Sequence, residues 1–123
     1  MKKRNILGVF CLAVMFAGCY YDHSEELYPI GNCDVSNVTY SGTVSKIMSA
    51  NCTTSGCHDA ATASGGYVLD NYTGVANIAQ SGKLMGSVKH QSGFSAMPQN
   101  GTQLDACTIS KLQTWVDAGW PNN

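Results

Sequence analysis

Charge is scarce in this chain. Seven Lys and Arg and eight Asp and Glu stand among 123 residues, and nothing gathers the basic ones into the patch that nucleic-acid binding requires. A long hydrophobic run is missing too, since the apolar stretch over residues 6–16 is too short to span a bilayer. No segment sustains strand alternation, which leaves helices and loops. Large apolar side chains are thinly spread, because Gly, Ser, Thr and Asn occupy many positions of what is long enough for one small domain. Chains so poorly supplied with core often need a staple or a bound group to offset chain entropy.

What is present starts with a targeting signal. Lys2, Lys3 and Arg4 precede the apolar stretch, and Phe16-Ala17-Gly18-Cys19 puts small residues before a cysteine. This is similar to a bacterial lipobox, so residues 1–18 are expected to be a lipoprotein signal peptide and Cys19 the lipidated residue. Ordinary secretion and an uncleaved anchor are the alternatives. Cleavage removes three basic residues and no acidic one, leaving a formal charge of 4 − 8 = −4. Residues 19–34 read as a tether holding Asp22, Glu25, Glu26, Pro29 and Gly31, and residues 35–123 as the domain. The acidic tether is a solvated spacer; it also resembles the stretch after the lipidated cysteine in surface-exported lipoproteins of the Bacteroidetes.

Helical spacing of Val44, Ile47 and Met48 predicts a helix within residues 35–51. Residues 53–66 have loop composition. Asp70 and Asn71 are good caps for a helix carrying Tyr72, Val75 and Ile78, and Gly82 separates it from a short helix with Leu84, Met85 and Val88. Residues 91–102 form a Gly- and Pro-bearing loop. Asp105 caps a last helix with Ile109, Leu112, Trp115 and Val116 on one face, stopped by Gly119 and Pro121. The expected fold is all-α, one small domain of short helices and long loops.

Six cysteines carry the functional question. Cys11 leaves with the signal and Cys19 takes the lipid, so Cys33, Cys52, Cys57 and Cys107 remain. In an oxidising compartment unpaired thiols are a liability. The natural partition makes Cys33–Cys107 a disulfide and leaves Cys52 and Cys57 for the motif CTTSGCH. That motif admits a covalent haem clamp with an enlarged loop, a small Cys52–Cys57 disulfide, or part of a zinc site completed by His90 or a third cysteine. Catalytic thiol chemistry lacks a base and acid pair.

The haem reading assigns thioether attachment to Cys52 and Cys57 and proximal ligation to His58. Thr53, Thr54, Ser55 and Gly56 are small, so the two residues beyond the usual spacing can bulge outward. A sixth ligand is then required. Met48 and Met85 lie on apolar helical faces and read as core. Met97, in SAMPQNG beside the stiffening Pro98, is the candidate ligand, with His90 its competitor.

C-x4-C-H, then LDNYTGV, GKLMGSVKH, AMP and LDACTISKLQTWVDAGWPNN, resembles the small c-type cytochrome lipoproteins of the Bacteroidetes, related to class I cytochrome c. The resemblance runs from about Cys33 to the C-terminus, with Trp120 where a small residue is more familiar. It implies a cytochrome c-like fold around one covalent haem c, His58 and Met97 as axial ligands, Cys52 and Cys57 as thioether donors, and Cys33 beside Cys107. One-electron transfer rather than enzymatic catalysis is the expected function. Leu69, Tyr72, Met85, Leu112, Trp115 and Val116 are candidate crevice walls. The expected setting is an exported monomer at the periplasmic face of a membrane or the cell surface, lipid-anchored and served by redox partner proteins. A haem-free, disulfide-stapled interaction module and a peroxidase-like enzyme are the competing functions.

Overall fold

The computed structural model describes residues 33–123. The expected signal peptide, the lipidation of Cys19 and the tether up to residue 32 lie outside the described residues. Among the described residues there are four short α-helices and no strand: α1 (Ser45–Asn51), α2 (Tyr72–Gln80), α3 (Lys83–Val88) and α4 (Ala106–Asp117). No helix among them is long and apolar enough to cross a membrane.

The first helical segment falls inside the stretch expected for it, from Tyr40 to Asn51. Asp34 Oδ1 accepts from the Ser36 N–H at 2.9 Å, turning the chain. The Thr39 hydroxyl accepts from the Gly42 N–H at 3.0 Å and caps a π-helical turn, Tyr40–Val44. The Thr39 carbonyl serves both Thr43 and Val44 at 3.1 Å, and this wide turn runs into α1. Of the two residues expected to cap α2, Asn71 does so, accepting from the Gly74 N–H at 3.0 Å. Asp70 instead accepts from the Ala60 N–H at 3.1 Å, tying the loop after the cysteine motif to the start of the helix. Gly74 is required there, because a Cβ would stand 1.8 Å from the Val68 carbonyl oxygen.

Helix α4 is capped by Asp105, whose carboxylate accepts from the Thr108 N–H at 2.9 Å and its hydroxyl at 2.6 Å. The Thr108 hydroxyl, then its N–H, hold the Asp105 carboxyl below its ordinary value of 3.8. At the other end Gly119 has φ 84° and donates to the Val116 carbonyl, while Trp120 donates to Trp115, both at 3.0 Å. These are the two bonds of a Schellman stop, and they turn the tail back over the domain.

That tail helps hold the core. Trp115 is fully buried and its Nε1–H donates to the Pro121 carbonyl at 2.9 Å. The Tyr72 hydroxyl donates to the Trp120 carbonyl at 3.0 Å, and the Asn123 carbonyl accepts from the Ser41 N–H at 2.8 Å. Tyr40 meets Tyr72 edge-on at 5.1 Å and Trp115 at 5.8 Å. Val44, Met48, Val75, Leu112 and Trp115 are the buried centre of this cluster, which Met85 joins from α3. Both helical methionines are thus core side chains.

Cys33 and Cys107, 74 positions apart in sequence, form a disulfide with Cα atoms 5.5 Å apart. It pins the start of the domain to the first turn of α4. A cross-link of this kind typically stabilises a small domain by about 2–4 kcal/mol. Replacing both cysteines by Ser is expected to lower the unfolding free energy by about that amount, measured by urea titration; an unchanged midpoint would show that the bond carries no stability.

Candidate functional site

The cysteine motif begins where α1 ends. Cys52 and Thr53 N–H groups both donate to the Met48 carbonyl, at 2.8 and 3.0 Å, and finish the helix. The chain then swings outward through Thr54, Ser55 and Gly56, all exposed. The Cys57 N–H donates to the Thr54 carbonyl at 2.9 Å, with Gly56 at φ 87°, a value that favours glycine. The His58 N–H returns to the Cys52 carbonyl at 3.0 Å and closes the loop. The four intervening residues are therefore accommodated by an outward bulge.

Two more bonds fix the far side of the motif. Leu69 donates to the His58 carbonyl at 2.8 Å, and Ser64 to the Cys57 carbonyl at 3.0 Å. Asp59 Oδ1 accepts from the Ala61 and Thr62 N–H groups, both at 2.9 Å. The Thr62 N–H leads the interactions that hold this carboxyl below its ordinary range. The His58 ring is anchored on its backbone, and its Nδ1 is buried with no hydrogen-bond partner. A buried polar atom left so costs free energy unless something outside the polypeptide satisfies it.

Cys52, Cys57 and His58 line one wall of a cavity of about 670 Å³. That size falls within the roughly 300–1,000 Å³ typical of cofactor and small-molecule sites. Met97 and Pro98 line it as well, together with Leu69, Ile78, Leu84, Val88, Phe94 and Leu104. Met97 is placed by backbone bonds: its N–H donates to the Ser87 carbonyl at 3.1 Å, at the end of α3. Its carbonyl accepts from His90 Nε2 at 3.0 Å. The Met97-Pro98 peptide bond is cis.

All four expected cofactor residues thus meet in one space. His90 does not line it; it is exposed, left-handed at φ 52°, and bonded to the backbone of the methionine it was set against as a ligand. Of the expected crevice walls only Leu69 faces the cavity. Tyr72, Leu112 and Trp115 are engaged in the aromatic cluster, Val116 packs against that cluster, and Met85 is buried in it. The apolar face of α4 is buried, as its period predicts, but it meets the aromatic cluster and not the cavity. The actual walls come from α2, α3 and the loop before α4, and Phe94, Tyr67 and Lys83 were not anticipated. The signal for Phe94 was available: an aromatic in a loop of small residues with no helical register to place it in a core. Its ring lies over Gly86, where a Cβ would come within 2.5 Å of it.

Among the described residues no three His, Cys, Asp or Glu side chains converge as a metal-holding group, so the zinc arrangement is not formed. Cys52 and Cys57 are free thiols in the structure that closes Cys33 onto Cys107. No family model matches the chain, and no curated protein or solved structure matches it either.

Burial, and secondarily the neighbouring Cys57, push the Cys52 thiol up to about 11 from its ordinary 9.0. It stays protonated at neutral pH and is no nucleophile there. Alkylation of Cys52 by iodoacetamide at pH 8 is therefore expected to be about a hundredfold slower in the folded, cofactor-free chain than in the unfolded one. Peptide mass spectrometry over a time course measures both rates, and equal rates would contradict the burial.

Proposed function

We propose that this protein carries single electrons through one haem held covalently by Cys52 and Cys57, with His58 and Met97 as its axial ligands. The observation that carries the reading is the convergence of two thiols, an imidazole and a thioether on one largely apolar cavity. The unpartnered buried Nδ1 of His58 fits the same reading, because a bound group would change the environment of a ring that the polypeptide alone leaves unsatisfied. The order of parts, a cysteine-histidine loop after the first helix and a methionine loop before the last, supports a class I cytochrome c-like fold.

Each residue has a task in this account. Cys52 and Cys57 would each supply a thioether sulfur by adding across a vinyl double bond, the thiol hydrogen going to the other carbon, so attachment would consume no oxidant. Because His58 follows Cys57 directly, attachment would also keep its imidazole within reach of the iron. Met97 would supply the second protein ligand, and a His/Met pair raises the reduction potential. Haem, when bound, supplies a one-electron iron couple. With His58 and Met97 both on the iron there would be no open place for a substrate, which favours electron transfer over bond chemistry. Leu69, Ile78, Leu84 and Val88 exclude water from the site. A peroxidase needs a polar distal group, and His90 is engaged with the Met97 carbonyl instead.

The haem-free interaction module needs a Cys52–Cys57 bond and leaves the thioether of Met97 without a task in the same cavity. Lipidation at Cys19 would hold the carrier at an exported membrane face, within reach of redox partner proteins. Expression of the full chain with haem-maturation machinery is expected to yield a protein with retained haem and sharp reduced absorption bands. Met97→Ala should open the sixth position and lower the reduction potential by electrochemical titration. A colourless product, or a Met97→Ala variant with unchanged spectrum and potential, would count against the haem and the ligand respectively.

A further inference from the structure

The cavity carries one feature that thiols, imidazole and thioether leave unused. Lys83 lines it, and its ammonium donates to the Tyr67 hydroxyl at the short distance of 2.6 Å. The same nitrogen stands 5.1 Å from the Tyr67 ring centroid. Tyr67 also lines the cavity, and its ring meets that of His58 at 6.2 Å, so the pair sits on the wall that carries the motif. No Asp or Glu is among the lining residues.

The hydrogen-bond inventory shows what this pair offers. An ammonium has three donors and a phenol one. With one ammonium hydrogen given to the Tyr67 oxygen, two ammonium hydrogens and the phenolic hydrogen stay available. An ionised carboxylate is acceptor-only, with about four lone-pair sites. Charge-assisted bonds of this type are roughly twice as strong as neutral ones. The remainder of the wall is dominated by Leu69, Ile78, Leu84, Val88 and Phe94, which demand an apolar body.

We infer that Lys83 and Tyr67 are the carboxylate-binding end of the cavity, and that its ligand is an amphipathic acid with an apolar body and a carboxylate at that edge. The inference rests on the haem reading above, in which the carboxylate is a propionate of the porphyrin. Lys83 and Tyr67 then set which way round the porphyrin enters before the thiols react.

The test uses the full chain made without haem attachment, titrated with iron protoporphyrin IX and separately with its dimethyl ester. The esters keep the ring and iron and remove both carboxylates. The wild-type chain is expected to bind the diacid roughly tenfold or more tightly than the diester, as bonds to a charged group predict. Lys83→Met should bring that ratio close to one, Tyr67→Phe should reduce it, and Lys83→Arg should preserve it. Lys89→Met removes the same charge from a residue bonded to Gln113 and outside the cavity lining, and should leave the ratio intact. Equal binding of diacid and diester by the wild-type chain, which needs no variant to fold, would overturn the carboxylate site and leave the haem reading standing. So would a preference that survives Lys83→Met. Binding of neither porphyrin would overturn both.

Discussion

The bond from the His58 N–H to the Cys52 carbonyl, 3.0 Å long, is the constraint on which the site depends. It closes a seven-residue loop whose tip, Thr54 to Gly56, is exposed, while Cys52, Cys57 and His58 line the cavity and the Thr54 hydroxyl donates to Cys57 Sγ at 3.4 Å. The far end of the loop is secured by Ser64 and Leu69, which donate to the last two carbonyls of the motif, those of Cys57 and His58. Across the cavity, the Met97 backbone is held at its N–H by Ser87 and at its carbonyl by His90. Backbone hydrogen bonds thus aim side chains from irregular segments, which have no helical register to do it.

The division of labour follows from how little core the chain has. One cluster centred on Trp115, Tyr40 and Tyr72 holds α4, the π-helical turn and the tail together, and the disulfide fastens α4 to the start of the domain. α2 and α3 give part of their apolar faces to that cluster and part to the cavity. Ile78, Leu84 and Val88 belong to both. A bound planar group would complete the packing of those residues, so loading the site and stabilising the domain are coupled by shared walls.

Much of this was legible in the sequence because it rests on local rules. Asn71 and Asp105 cap helices as their types predict, Gly119 stops the last one, and cysteine arithmetic isolated the pair that bonds. Met97 stood out because no apolar period explained it. What could not be read was which apolar face meets which. The period of α4 marks its buried side but says nothing of whether cavity or aromatic cluster lies opposite, so it cannot show that Leu112, Trp115 and Val116 face the cluster. Lys83 and Tyr67 lie 16 positions apart and meet only in space. His90, ending a short helix beside Lys89, reads as a surface side chain and is one, but only the fold shows it bonded to the Met97 carbonyl.

The central claim, that Cys52 and Cys57 hold a haem and not each other, has a direct measurement. Non-reducing mass spectrometry of the matured, exported chain, digested to isolate the peptide spanning residues 52–58, reads the state of both sulfurs together. The account predicts a peptide heavier by the mass of one haem, with neither cysteine open to alkylation. A peptide lighter by two hydrogens, with no haem attached, would be a Cys52–Cys57 disulfide and would contradict it.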